Sequence, residues 1–298
     1  MKKIMGEIKH EYFSGCYLSD EPTDGRLMAV NEEYLAMSWN KNGRIVIVDS
    51  LKPKYILADS PYLKGNDSTI LDLEFSPFNN NILASGYSDN SILLWNIPKN
   101  GLSQIITNEN TMYNKHKNKV NFINFNPTVS DAICSSSIDG DIHIWSIEKR
   151  DSFIEFKTGY QTTMVSWNHK GDLIGFSTKN NDIKIIDPRN RNILFKPKIN
   201  ESSLQTKFVW NDDTLFSTIN WSEEGQYKIL YLWDIRKLDK EVDSMIINSS
   251  HINFTPFVNR EFKLIYIAGR KEIYTYDYNN NNIKKYLNLK KNHQIIQF

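Results

Sequence analysis

Three residues near the middle of the chain, His116, Ser135 and Asp139, are the types a nucleophilic hydrolase combines. A serine activated by histidine, itself oriented by a carboxylate, attacks an acyl carbon. That chemistry requires an oxyanion hole and a route for substrate to the hydroxyl. Here the three residues are spread over a strand–turn–strand pattern that ends in Trp145. Their spacing suits an interior lock instead: Asp139 in the turn accepts from His116 and local backbone, His116 meets the Ser135 hydroxyl, and Ser135 meets the indole N–H. Each such bond contributes about 0.5–1.5 kcal/mol net. His116, Ser135, Asp139 and Trp145 are therefore read as a structural network, and no catalytic residue is assigned.

No glycine-rich phosphate loop occurs among the 13 glycines. The six histidines (10, 116, 143, 169, 251 and 293) lack ligand spacing with cysteine or carboxylates along the chain, so no metal and no cofactor is expected. Cys16 and Cys134 are the only cysteines, too few for a disulfide framework, which points to a reducing, cytoplasmic setting. Charge is balanced, 36 Lys+Arg against 35 Asp+Glu, so no overall field favours nucleic acid or an anionic membrane. No apolar run approaches the ~18 residues of a membrane span.

The elements that must position these residues repeat. Ile82 to Asn96 holds two apolar runs around the polar turn Ser88-Asp89-Asn90, the sequence form of a β-hairpin. The form recurs in Tyr34–Asp49, Ala132–Ser146, Leu173–Asp187, Leu215–Asp234 and Leu264–Asp277. The large residues closing these hairpins, Val48, Trp95, Trp145, Ile186, Trp233 and Tyr276, are spaced by 47, 50, 41, 47 and 43 residues. A period near ~40–45 ending in Trp-Asp belongs to WD repeats, with four strands per blade. The expected fold is all-β, a WD40 β-propeller forming one domain over 1–298. A lone four-stranded sheet cannot cover both apolar faces, whereas radial packing buries each between neighbours. The units predicted are about 24–60, 66–107, 116–157, 160–197, 202–248 and 251–288, with Gln104–Thr107 as the outer strand of the second.

The lock varies between units. The second has Ser85, Asp89 and Trp95 with Asn66 in the histidine place; the fourth has Phe176 and Asn180 at the serine and aspartate spacings and no lock. Basic residues recur near predicted loops, including Lys115, Lys117 and Lys119, Lys149-Arg150, Arg189 and Arg191, Arg236-Lys237 and Arg270-Lys271. Lys115, Lys117, Lys119, Arg189 and Arg191 are the candidates for docking an acidic partner surface.

Several stretches go beyond the general repeat. They are Leu-Leu-Trp-Asn-Ile-Pro-Lys-Asn-Gly-Leu at 93–102, Ile183-Lys-Ile-Ile-Asp-Pro-Arg189, Leu232-Trp-Asp-Ile-Arg-Lys-Leu238, Thr255-Pro-Phe257, Ile265-Tyr-Ile-Ala-Gly269 and Met28-Ala-Val-Asn31. On these the whole chain resembles the propeller of the coronins, actin-binding WD-repeat proteins. The resemblance implies seven blades, binding to actin filaments and other cytoskeletal partners, and a place in the cytoskeleton. It also implies that the N-terminal segment, within 1–20 and about Ile8 to Leu18, supplies the last strand of a seventh blade. In this chain 293–298 would begin that blade and leave it incomplete, as in a truncated chain. Without the family's coiled coil, oligomerisation is not expected. Tyr17 falls where animal coronins carry an arginine used in filament binding. The alternative function is a general WD scaffold in another complex: Trp233-Asp234-Ile235-Arg236 resembles the motif by which WD substrate receptors dock onto ubiquitin ligases. No residue set supports an enzyme.

Overall fold

The computed structural model describes residues 13–17, 23–39, 43–52, 55–107, 111–195, 206–222, 224–237, 240–247, 255–268, 272–279 and 282–288. They form six four-stranded antiparallel sheets, each a meander in chain order. The first holds β1 (Met28–Val30), β2 (Tyr34–Trp39), β3 (Arg44–Asp49) and β4 (Tyr62–Lys64). The second holds β5 (Ile70–Phe75), β6 (Ile82–Tyr87), β7 (Ile92–Asn96) and β8 (Thr111–Tyr113). The third holds β9 (Val120–Phe125), β10 (Ala132–Ser137), β11 (Asp141–Ser146) and β12 (Asp151–Lys157). The fourth holds β13 (Thr162–Trp167), β14 (Ile174–Thr178), β15 (Ile183–Asp187) and β16 (Asn192–Phe195). The fifth holds β17 (Lys207–Trp210), β18 (Leu215–Trp221), β19 (Lys228–Asp234) and β20 (Asp243–Ile247). The sixth holds β21 (Thr255–Asn259), β22 (Leu264–Ala268), β23 (Glu272–Asp277) and β24 (Asn282–Asn288). Among the described residues there is no helix. The chain is an all-β WD-repeat propeller.

The alternation of side chains along a strand builds the ring. In β7, Leu93 and Trp95 turn toward the first sheet and join Tyr34, Ile45, Ile47 and Leu63 in one apolar cluster. Their neighbours Ile92 and Leu94 turn the other way and pack with Val120, Ile123, Ile133 and Trp145 of the third sheet. The same rule places Ile186 against Ile142 and Ile144, Trp233 against Ile183 and Ile185, and Tyr276 against Leu230 and Leu232. Each hairpin marker thus lies between its own sheet and the preceding one. Val48, with no preceding sheet among the described residues, packs in a cluster that includes Phe13 and Cys16. All six markers are buried, and each contributes roughly 1.5–3 kcal/mol of hydrophobic free energy.

The innermost strands are hooked to one another by side chains. Asp72 and Glu74 of β5 accept from the Ile123 and Phe125 N–H groups of β9, both at 2.7 Å. Asn124 of β9 accepts from the Trp167 N–H of β13 at 2.9 Å, and Trp210 of β17 donates its indole N–H to Ser166 O at 3.1 Å. Arg26, before β1, donates to Asp72 through Nε at 2.9 Å and a terminal nitrogen at 2.8 Å, and to Glu74 at 3.1 Å. Its guanidinium also reaches Ile123 O, so one arginine just ahead of β1 ties the second sheet to the third. Burial works against the charge of Arg26, but Asp72 and Glu74 outweigh it and hold the pKa above the ordinary value. Burial pushes Glu74 up, with Arg26 opposing.

Three sequence expectations shift. The outer strand of the first sheet is Tyr62–Lys64, beyond the expected limit of residue 60. The outer strand of the second is Thr111–Tyr113, beyond residue 107. Gln104–Thr107 is no strand of the second sheet: Ile106 bridges in parallel to Leu63 of β4 and packs against the cluster between the first two sheets. The insertion after Gly101 folds back to cover that cluster before the chain returns to pair with β7. Of the expected N-terminal closing strand, only 13–17 are described; there Ser14 bridges in parallel to Tyr55, and Ile56 N–H donates to Ser14 O at 2.8 Å. Residues 293–298 lie outside the described set.

Candidate functional site

The third sheet assembles the His116 group. The β10–β11 register pairs Ile133 with Trp145, which sets Ser135 two residues further along β10, on the same face as the indole. Trp145 Nε1 donates to Ser135 Oγ at 2.8 Å, and His116 Nε2 lies 2.7 Å from the same oxygen. His116 Nδ1 faces Asp139 Oδ2 at 3.4 Å, an electrostatic contact longer than a strong hydrogen bond. Asp139 also accepts from the Lys117 and Asp141 N–H groups, each at 2.8 Å, and Gly140 closes the turn at φ 83°, where a side chain would be strained. Burial alone would raise the Asp139 pKa, but His116 and the two backbone donors hold it well below the usual carboxylate range. His143, stacked on Trp145 at 5.2 Å, is lowered to about 4 by burial and by His116.

This geometry contains a serine, a histidine and an aspartate within contact, yet Ser135 is 0% exposed and its oxygen receives the indole N–H. A nucleophile held this way meets no substrate. The group can pin a turn, the connection before β9 and the third strand together. The expected measure is thermodynamic: Ser135→Ala removes the hydroxyl shared by two buried partners, the Trp145 indole N–H and His116 Nε2, and should cost about 2–3 kcal/mol in urea unfolding. The second sheet provides the internal comparison. There Asn66 Nδ2 donates to Asp89 at 2.9 Å, and Ser85 holds the Trp95 indole at 2.8 Å without a histidine. Ser85→Ala should therefore cost about 1–2 kcal/mol, and equal losses at both sites would show that His116 adds nothing.

The other sheets obey the same register. Trp233 is opposite Phe216, and two residues on, Thr218 Oγ1 accepts its indole N–H at 3.1 Å. Sequence reasoning missed Thr218 because the fifth hairpin is longer, separating the pair by 15 residues where the others have 10. Where the marker is not tryptophan, the corresponding residue is apolar: Met37 for Val48, Phe176 for Ile186, Ile267 for Tyr276. An indole N–H demands a buried acceptor; an aliphatic marker does not.

The five candidate partner-binding residues do not form one patch. Lys117 and Lys119 flank the β10–β11 turn: Lys117 N–H meets Asp139, and Ile138 N–H donates to Lys119 O. Lys115 turns away to an ion pair with Asp151 on β12. Arg189 and Arg191 lie in the β15–β16 turn. In a meander, successive turns alternate between the two ends of the sheet, so these arginines occupy the face opposite Lys117 and Lys119. Arg189 is engaged with Asp187 through Nε and a terminal nitrogen, both at 2.9 Å, and the pair holds the Asp187 carboxyl below its usual range. Arg236 grips Asp234 the same way at 2.9 and 2.7 Å, so the Trp233–Arg236 stretch forms the same corner as Asp187–Arg189. Arg191 is exposed, and its backbone is left-handed at φ 56°. Tyr17 is exposed, edge-on to Trp39 at 5.7 Å. Arg270 and Lys271 lie outside the described residues.

The family model for the WD domain, G-beta repeat, matches residues 60–96 and 108–146. Coronin-like protein crn1 of Schizosaccharomyces pombe is 26% identical over 280 residues, covering 89% of this chain and 46% of that protein. Coronin-2A of Bos taurus is 24% identical over 295 residues, covering 94% of this chain and 55% of its own length. The chain thus spans about half the length of these relatives. The crystal structure of the WD40 domain of Toxoplasma gondii coronin superposes with a TM-score of 0.89 at 25% identity, covering 96% of this chain and 75% of that one. Among the described residues no helix is long and apolar enough to cross a membrane. The repeat register, the interlocked sheets and these relatives agree: the chain is a WD-repeat propeller similar to those of the coronins.

Proposed function

We propose that this propeller is a non-catalytic platform that binds actin filaments and helps to organise the actin cytoskeleton in the cytoplasm. The observation that carries the reading is similarity to coronins along 89% of the chain. The burial of Ser135 and His116 supports the non-catalytic part, because this constellation of catalytic residue types is sealed inside a sheet.

High-speed co-sedimentation with filamentous actin tests the proposal. The folded chain should pellet at low salt and be released as salt screens the rim charges. No pelleting at low salt, with folding verified, would instead favour a scaffold in another complex, for which the Trp233–Arg236 corner is the first place to look. Of the lysines, Lys115 is already paired with Asp151. Neutralising Lys117 and Lys119 together should weaken pelleting about fivefold, the equivalent of about 1 kcal/mol for two rim charges. Lys115→Ala should change it little. An unchanged affinity in the double variant would remove that end of the ring as the contact, and Arg191→Glu would then examine the opposite end.

A further inference from the structure

We propose that Asp141, His143 and Glu155 form a site for one divalent transition ion of the Zn2+ kind, which would clamp the two outer strands of the third sheet. In the β11–β12 register His143 is directly opposite Glu155, and Asp141 lies two residues before His143 on the same face. One ligand atom from each of the three lies within 4.8 Å of the others. The His143 ring is fixed: it stacks on Trp145 at 5.2 Å and meets His116 edge-on at 4.5 Å. The residue is 3% exposed, and its Nδ1 is buried with no hydrogen-bond partner. A buried imidazole nitrogen without a partner carries a desolvation cost, which a metal bond at that nitrogen would relieve.

The two carboxylates are better placed to move. Asp141 is half-buried and Glu155 exposed, so small rotations would draw their oxygens to the ~2.0–2.2 Å that Zn2+ requires, with water filling a fourth position. One imidazole nitrogen beside two carboxylates favours a borderline ion over Mg2+, which prefers an all-oxygen shell. Of the nearby cations, Lys157 is displaceable: its Nζ stands 3.9 Å from Glu155 and its side chain is 74% exposed; Lys117 and Lys115 also lie near Asp141 and His143. The ligands alternate along one strand and pair across to the next, a pattern that linear spacing of histidines conceals.

The test is thermal unfolding and titration calorimetry of the intact chain with Zn2+ alone, with Mg2+ as the control. One equivalent of Zn2+ should bind and raise Tm. Asp141→Asn and Glu155→Gln, changes outside the apolar core, should each weaken Zn2+ binding about tenfold or more while leaving the metal-free Tm nearly unchanged. Tetrahedral visible bands with Co2+ should appear in the parent chain and vanish in the double variant. No rise in Tm with Zn2+, an equal rise in the double variant, or an equal rise with Mg2+ would each overturn the site.

Discussion

Asp72→Asn is expected to destabilise the chain by about 3–5 kcal/mol, the range for removing one partner of a buried ion pair. Asp72 is 0% exposed and accepts from four donors: the Arg26 N–H at 2.6 Å, Arg26 Nε, an Arg26 terminal nitrogen, and Ile123 N–H. The substitution keeps the volume and removes the charge, so the loss reports the electrostatic lock rather than a cavity. It also turns an amide N–H2 toward a guanidinium that has only donors to offer. Because Arg26 and Asp72 belong to one network, Arg26→Gln in the same chain should recover part of the loss, a coupling measurable in a double-mutant cycle. Urea unfolding of the four proteins is the measurement. A loss under about 1 kcal/mol for Asp72→Asn would place the pair with exposed salt bridges, and the locking of the second and third sheets through Arg26 would have to be abandoned.

The second large effect belongs to Lys228. The residue is 3% exposed, with its ammonium 4.7 Å above the Trp221 ring. Burial, and then the charge of Lys207, lowers its pKa from 10.5 to about 7. Lys207 in turn lies 3.6 Å from Asp24, ahead of β1. Between about pH 7 and 10.5 the unfolded chain therefore holds a proton on Lys228 that the folded chain has released. Stability rises with pH wherever the unfolded state binds more protons, so the penalty is complete below about pH 7 and gone above the unfolded value. Over the full window this amounts to about 5 kcal/mol. Lys228→Met keeps the length of the side chain and removes the titration. Relative to that variant, the parent should gain about 2 kcal/mol between pH 7 and pH 9 in chemical unfolding. Parallel pH profiles for the two proteins would show that Lys228 keeps its proton in the fold.

The lock around Trp145 shows how much of a site can be legible in a sequence. Ser135, Asp139 and Trp145 sit within one hairpin, so strand period and turn length place them without knowledge of any other sheet. His116 enters from the preceding connection, again over a short separation. Thr218 follows the same register rule but was hidden by the longer fifth hairpin. The misplaced Gln104–Thr107 has a different cause. Its apolar residues suit a strand, but Ile106 found a better apolar surface beside Leu63 than on the edge of its own sheet, and local propensity cannot rank two such surfaces.

Charged residues behave in the opposite way. Lys115 and Lys117 are two residues apart, yet one pairs with Asp151 and the other flanks the Asp139 turn. Arg189 and Lys117 read alike as basic loop residues, but occupy opposite ends of the ring. The pairing of Asp72 with Arg26, 46 residues away, has no signature along the chain.

What the sequence determined by itself was the blade: alternating apolar strands, a polar turn, and a large residue at the end of each hairpin. These follow from short-range sterics and from hydrophobic burial, which act on nearest neighbours along the chain. Only the tertiary structure decided which charges cancel, which end of the ring each basic residue occupies, and that Asp141, His143 and Glu155 stand together. Coulomb and coordination bonds depend on distance in space, and in a ring of sheets that distance is set by blade packing rather than by separation in sequence.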